Sequence, residues 1–140
     1  VPHVLVASDA QWVHDEVAAV LSSPDFTVDH VTAGRAVLPA VKATPTDLVV
    51  LDLQIGTMGA MATCLDLRLE ESGGRVEHVP VLMLLDRRAD VFLARRSEAE
   101  GWLVKPLDPI RLRKATRALL SGTTYHDLSY QPPTVSTATA

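Results

Sequence analysis

The chain has 140 residues, 47% of them hydrophobic and 21% charged, enough for one domain with a substantial core and too few for two. With 13 basic and 17 acidic residues the net charge is −4, so the molecule as a whole has no electrostatic pull toward DNA, RNA or anionic lipid. No apolar run approaches the roughly 20 residues that span a bilayer, and Val1-Pro2-His3 lacks the basic start of a secretory signal. The lone Cys64 forms no internal disulfide and makes no zinc site by itself. A cytoplasmic place, or the cytosolic face of an assembly, is expected.

Val4 to Ala7 reads as a short buried strand running into Ser8-Asp9. A helix follows from about Ala10 to Leu21, with Val13, Val17, Val20 and Leu21 on one face. Ser22-Ser23-Pro24-Asp25 breaks it. Phe26 to Val31 is a second strand whose mixed pattern suggests an edge. Gly34 opens a weaker helix through Val37, Val41 and Ala43, and Pro39 lies near enough to its start to be tolerated. Thr44-Pro45-Thr46-Asp47 turns into the apolar run Leu48-Val49-Val50-Leu51, which Asp52 closes. Gln54 to Ala60 is a loop. The next helix runs from about Met61 to Glu71 with Leu65 and Leu69 inward, and Ser72-Gly73-Gly74 ends it.

Val79 to Leu85 is the fourth strand, and Asp86 reads as a cap of the polar helix after it. That helix carries Arg87, Arg88, Arg95 and Arg96, which read as a solvated face or a docking surface. Gly101 to Val104 is the fifth strand and leads into Lys105-Pro106. Asp108-Pro109 is an N-cap with proline at the first helical position, and Leu112, Ala115 and Leu119 form the inward stripe of the last helix. Residues 122–140 form a Thr/Ser/Pro-rich tail after a domain of residues 1–121. Tyr125, Leu128 and Tyr130 are its only large apolar groups, and the tail is expected to pack along its own domain or against a partner. Five alternations of strand and helix argue for a doubly wound five-stranded parallel α/β sheet with helices on both faces. In such a sheet ligands bind at the carboxyl ends of the strands. Asp9, Asp52 and Lys105 all stand at that edge.

These segments resemble the receiver domain of two-component response regulators. The resemblance rests on Val4-Leu5-Val6-Ala7-Ser8-Asp9, Asp47-Leu48-Val49-Val50-Leu51-Asp52, Pro80-Val81-Leu82-Met83-Leu84-Leu85 and Gly101-Trp102-Leu103-Val104-Lys105-Pro106, in that order, within residues 3–121. It implies a flavodoxin-like sheet of strand order 2-1-3-4-5. It also implies Asp52 as acceptor of a phosphoryl group from a histidine kinase, and Lys105 as the cation contacting that group. Asp9, Asp52 and the backbone carbonyl of Gln54 would be ligands of Mg²⁺, and the Lys105-Pro106 peptide is expected to be cis. A carboxylate is a competent nucleophile toward phosphorus when a divalent ion neutralises the meeting anions.

Three positions depart from the pattern. Ser8 replaces an acidic residue, so Mg²⁺ affinity should fall. Leu85 stands where the family has Thr or Ser, and a lost hydrogen bond to a charged group costs about 1.5–3 kcal/mol, comparable with the gap between two states of a switch. Trp102 is larger than the family's switch aromatic and is expected to be held in one rotamer. The expected function is an atypical single-domain response regulator acting by protein docking, with Asp52 as Mg²⁺-dependent acceptor. The alternative is a pseudo-receiver that serves a larger complex regardless of phosphate.

Blander readings accompany each residue. Asp52 and Lys105 would serve as an ordinary strand end and a solvated lysine, and Asp9 as the cap of the first helix, which is compatible with a metal role. His3, His14, His30, His78 and His126 lack ligand spacing and read as surface residues; Cys64 reads as a small buried hydrophobe. Gly56-Thr57-Met58-Gly59 is too weak to read as an RNA clamp, and no dinucleotide or nucleoside triphosphate motif is present. No independent acid–base pair or nucleophile elbow is visible, so an enzyme is not expected.

Overall fold

Branched and leucine side chains crowd into runs of about five residues, and each such run is a strand. The computed structural model describes residues 1–21, 24–56 and 58–127. In chain order the elements are β1 (His3–Ala7), α1 (Gln11–Leu21), β2 (Thr27–Val31), α2 (Val37–Ala43), β3 (Leu48–Asp52), α3 (Ala60–Ser72), β4 (Val81–Leu85), α4 (Val91–Arg96), β5 (Gly101–Val104), α5 (Pro109–Leu120) and β6 (Tyr125–His126). Single turns of 3-10 helix precede α2 and α4. All paired strands run parallel in the order β2-β1-β3-β4-β5-β6. This is the doubly wound, flavodoxin-like architecture expected, with one strand more.

Successive residues of a strand point to opposite faces, and the two cores divide accordingly. Val4, Val6, Leu48, Val50, Leu82, Leu84 and Leu103 pack with α1 and α5. Leu5, Ala7, Val49, Leu51, Val81, Met83, Leu85 and Trp102 pack with α2, α3 and α4. Every residue of β3 and β4 is buried, as central parallel strands covered on both faces require. β2 is an edge, and its pattern is correspondingly mixed.

Several expectations are corrected. Leu65 and Leu69 of α3 face outward, at 40% and 63% exposure, and the buried stripe is Ala60, Thr63, Cys64 and Leu67. Ala60, Thr63, Cys64 and Leu67 share one face at i, i+3, i+4, i+7 spacing, whereas Leu65 and Leu69 follow the opposite flank. β4 begins at Val81 because Pro80 has no N–H to donate, although its carbonyl accepts from the Val49 N–H at 3.0 Å. Asp86 caps nothing: the turn before α4 is capped by Asp90, whose Oδ2 accepts the Arg87 N–H at 3.0 Å. His14 is buried rather than on the surface.

The sixth strand comes from the start of the tail. Tyr125 and Asp127 donate their N–H groups to the Glu100 and Trp102 carbonyls, each at 3.3 Å. The buried Asp127 carboxylate accepts the Val104 N–H at 2.9 Å. The far edge of β5 is thereby covered, which an exposed strand edge requires. Leu128 and Tyr130, named with the tail, lie outside the described residues.

Gly34 sits where the turn before α2 meets the loop after β3. A Cβ there would lie 1.9 Å from the Met58 carbonyl oxygen and 2.6 Å from Thr63 Oγ1. Gly34→Ala should therefore lower stability by about 2–3 kcal/mol, read as a shift of the urea midpoint at unchanged slope; an unchanged midpoint would show that the loop yields freely.

Candidate phosphoryl pocket at the strand ends

The register of the sheet decides which side chains meet. Ala7 lies level with Leu51, Asp52 with Leu84, and Leu85 with Val104. One residue further on, Ser8 comes beside Asp52 and Asp86 beside Lys105. All four continue the alternating positions that face α1 and α5. Four polar side chains thus collect on one face of the carboxyl edge.

Asp52 is 1% exposed and its carboxylate is fully engaged. Oδ1 accepts from Lys105 Nζ at 2.8 Å and from the Gln54 N–H at 3.2 Å. Oδ2 accepts from the Ser8 hydroxyl at 2.7 Å. The Ser8 oxygen in turn accepts the Ala10 N–H at 3.0 Å, and its carbonyl receives His14 Nε2 at 2.6 Å. Ser8 therefore has its proton committed to the second oxygen of the Asp52 carboxylate.

Lys105 is shared. Its ammonium also donates to Asp86 Oδ1 at 3.0 Å, and it lies 5.4 Å from the centre of the Trp12 ring. Burial alone pulls such an ammonium down, but the hydrogen bonds and charges of Asp52 and Asp86 outweigh it and hold the Lys105 pKa above its ordinary value. Since the folded value lies above the unfolded one, this stabilisation is complete below the unfolded pKa and is lost as pH rises through the folded one. The Lys105–Pro106 peptide is cis.

Asp9 stands apart from this cluster. It is exposed, precedes Ala10 and α1, and its Oδ2 accepts the Gly56 N–H at 3.1 Å, tying β1 to the loop after β3. Among the described residues no group of three His, Cys, Asp or Glu side chains is placed to hold a metal ion. The chemistry of the donor set still fits Mg²⁺: Asp9, Asp52 and the Gln54 carbonyl are hard oxygens, and this ion takes one or two carboxylates while keeping several waters.

The three departures have distinct surroundings. Leu85 and Trp102 belong to the opposite face, in the core of α2, α3 and α4. Trp102 is 2% exposed; His126 of β6 stacks on it at 4.1 Å and 3°, and the Arg95 guanidinium lies 5.2 Å from its ring centre. Of the other arginines, Arg87 pairs with Asp90 at 3.3 Å, Arg96 covers the exposed Phe92, and Arg88 is exposed. Tyr125 is half-buried in β6. Cys64 is buried, its Sγ donating to the Ser97 carbonyl, and burial pushes its thiol up to about 11.

Sequence reasoning missed Asp86, His14 and Trp12 as pocket residues. The signal for Asp86 was its place one residue past a buried strand, level with Lys105.

With this geometry in view, comparison decides the family. A profile of the response regulator receiver domain matches residues 4–117. The chain belongs to that family. It is 30% identical over 119 residues to the DNA-binding response regulator MtrA of Mycobacterium tuberculosis, covering 84% of this chain and 50% of that protein. It is 28% identical over 124 residues to the transcriptional regulatory protein YvrH of Bacillus subtilis, covering 86% and 49%. The chain thus spans about half the length of the curated relatives it matches. The chemotaxis response regulator CheY4 of Vibrio cholerae superposes with TM-score 0.75 at 22% identity, covering 84% of this chain and 98% of that one. The signal receiver domain of a signal transduction histidine kinase from Syntrophus aciditrophicus does so with TM-score 0.76 at 20% identity, covering 99% and 100%. Among the described residues no helix is long and apolar enough to cross a membrane.

Ser8→Asp should free Asp52 Oδ2 from its hydroxyl partner and add a charge at the edge. Mg²⁺ should then bind at least about tenfold tighter, since a carboxylate attracts a divalent ion by about 2 kcal/mol at this range even in bulk water, twice the unit-charge value. Amide shifts of Gln54 and Gly56 during a Mg²⁺ titration would measure it; unchanged affinity would remove Ser8 as the limiting position.

Proposed function

We propose that this receiver accepts a phosphoryl group on Asp52 and passes the signal on by docking to another protein, acting as a switch rather than as a hydrolytic enzyme. The observation that carries this reading is the Lys105–Asp52 pair at 2.8 Å, at the sheet edge where three buried strands end. The donor would be a phosphohistidine of a histidine kinase. A carboxylate oxygen of Asp52 bonds to phosphorus as the phosphorus–nitrogen bond breaks, and the donor imidazole nitrogen leaves with the bonding pair. Bound Mg²⁺, held by Asp9, Asp52 and the Gln54 carbonyl, would supply neutralisation of the charge that gathers. Lys105 orients the acceptor and balances the phosphoryl oxygens as a point charge. The Gln54 N–H and the Ser8 hydroxyl fix the carboxylate plane.

A second reading is favoured by Trp102. With His126 on its ring and Arg95 beside it, the aromatic has no room to change rotamer, and Leu85 offers no hydroxyl to draw anything toward a phosphoryl group. Readout through that face would then be independent of phosphate, and the chain would act as a constitutive docking subunit in the cytoplasm. Candidate contact residues remain Arg87, Arg88 and Arg96 on and before α4, together with the C-terminal segment.

Beryllofluoride with Mg²⁺ separates the readings. Phosphoacceptance predicts shifts of the Gln54 and Gly56 amides that saturate with beryllofluoride and vanish in Asp52→Asn. No shift in the parent chain, with partner binding unchanged in Asp52→Asn, would replace the first reading by the second.

A further inference from the structure

We propose that Asp86 is a built-in anion of the pocket, a specificity-determining gate that occupies Lys105 and sets how readily an outside phosphoryl group is accepted. The proposal rests on the reading of Asp52 as acceptor and adds to it a residue that the sequence assigned elsewhere.

The geometry is direct. An ammonium has three N–H donors; two of those on Lys105 already go to carboxylates, at 2.8 Å to Asp52 and 3.0 Å to Asp86. One ammonium between two carboxylates leaves the trio one charge negative before any substrate arrives. A phosphoryl group brings further negative charge to the same ammonium and must compete with Asp86 for it. Asp86 is also the outer of the two carboxylates: its side chain is 31% exposed, that of Asp52 only 1%. Its second oxygen, Oδ2, is buried without a hydrogen-bond partner. A carboxylate oxygen left so is costly, and the arrangement persists because Lys105 holds the other oxygen. Among the described residues the Asp86 side chain caps no helix, since Asp90 caps the following turn.

Register makes the placement unavoidable. Leu85 and Val104 are paired, so the residues after them, Asp86 and Lys105, emerge side by side and on the same face. An acid at this position meets the lysine whatever the acceptor does. Phosphoryl contact through the remaining N–H of Lys105 then brings that group's charge up against Asp86, and the repulsion, or the outward turn of Asp86 that relieves it, is subtracted from acceptance.

Binding of beryllofluoride with Mg²⁺, followed by calorimetry, tests this in the parent chain, Asp86→Ala and the near-isosteric Asp86→Asn. Both variants should bind at least about tenfold tighter, the equivalent of about 1.4 kcal/mol. Equal affinity in all three would overturn the gate and leave Asp52 as acceptor. Should none respond to beryllofluoride, the acceptor reading falls, and the gate is then judged by inorganic phosphate in an Asp52→Asn background. There, phosphate binding that appears only on adding Asp86→Ala, and is lost again with Lys105→Met, sustains the gate. Phosphate binding indifferent to Asp86, or absent throughout, removes it.

Discussion

One ammonium answering two carboxylates at the end of a buried sheet is the constraint on which the rest of the pocket depends. At an effective dielectric of about 20, unit charges about 4 Å apart interact by about 4 kcal/mol. Asp52, 1% exposed, cannot keep its charge in that place without a partner. Lys105 is that partner, and the backbone Gln54 N–H and Ser8 hydroxyl complete its shell. Because Lys105 is also bound to Asp86, the pocket is a shared cluster of one ammonium and two carboxylates rather than an isolated pair. Whatever enters must rearrange a charge distribution that is already satisfied at Asp52 and in deficit of cation at Asp86.

The parallel sheet separates the polar cluster from Leu85 and Trp102. Ser8, Asp52, Asp86 and Lys105 continue the strand positions facing α1 and α5, and Trp12 of α1 lies over Lys105. Leu85 and Trp102 continue the opposite positions, into the core beneath α3 and α4. The two faces are joined through the strands themselves and the loops between them. On the far face Trp102 is held by a strand that the C-terminal segment adds, with His126 stacked on it and the Asp127 carboxylate accepting the Val104 N–H. The chain therefore combines a buried Asp52–Lys105 pair on one face with an opposite face tightened by its own C-terminal residues.

Much of this was legible in the sequence because the apolar runs are short, pure and closed by charge. Leu48 to Asp52 and Trp102 to Lys105 announce both a buried strand and the residue at its end, so the fold and the Asp52–Lys105 meeting could be read directly. Helix faces were harder. In α3 Leu65 and Leu69 look like the core, yet Ala60, Thr63, Cys64 and Leu67 are inside, a stripe at i, i+3, i+4, i+7 whose polar and small members hide its apolar character. β6 was hidden because two residues, Tyr125 and His126, carry no periodicity; what makes them a strand is the open edge of β5. Asp86 was mistaken for a cap since acids before helices usually are, and only the pairing register shows its true neighbour. His14 was read as surface for want of ligand spacing, whereas its partner is a backbone carbonyl that no motif records.

The most direct measurement of this account is the titration of the Lys105 side chain by carbon-detected NMR at its ε position. The shared ammonium predicts a pKa above that of an ordinary lysine, falling when either Asp52→Asn or Asp86→Asn removes one of its two anions. A Lys105 that titrates at or below the ordinary value, and does not respond to either substitution, would contradict it.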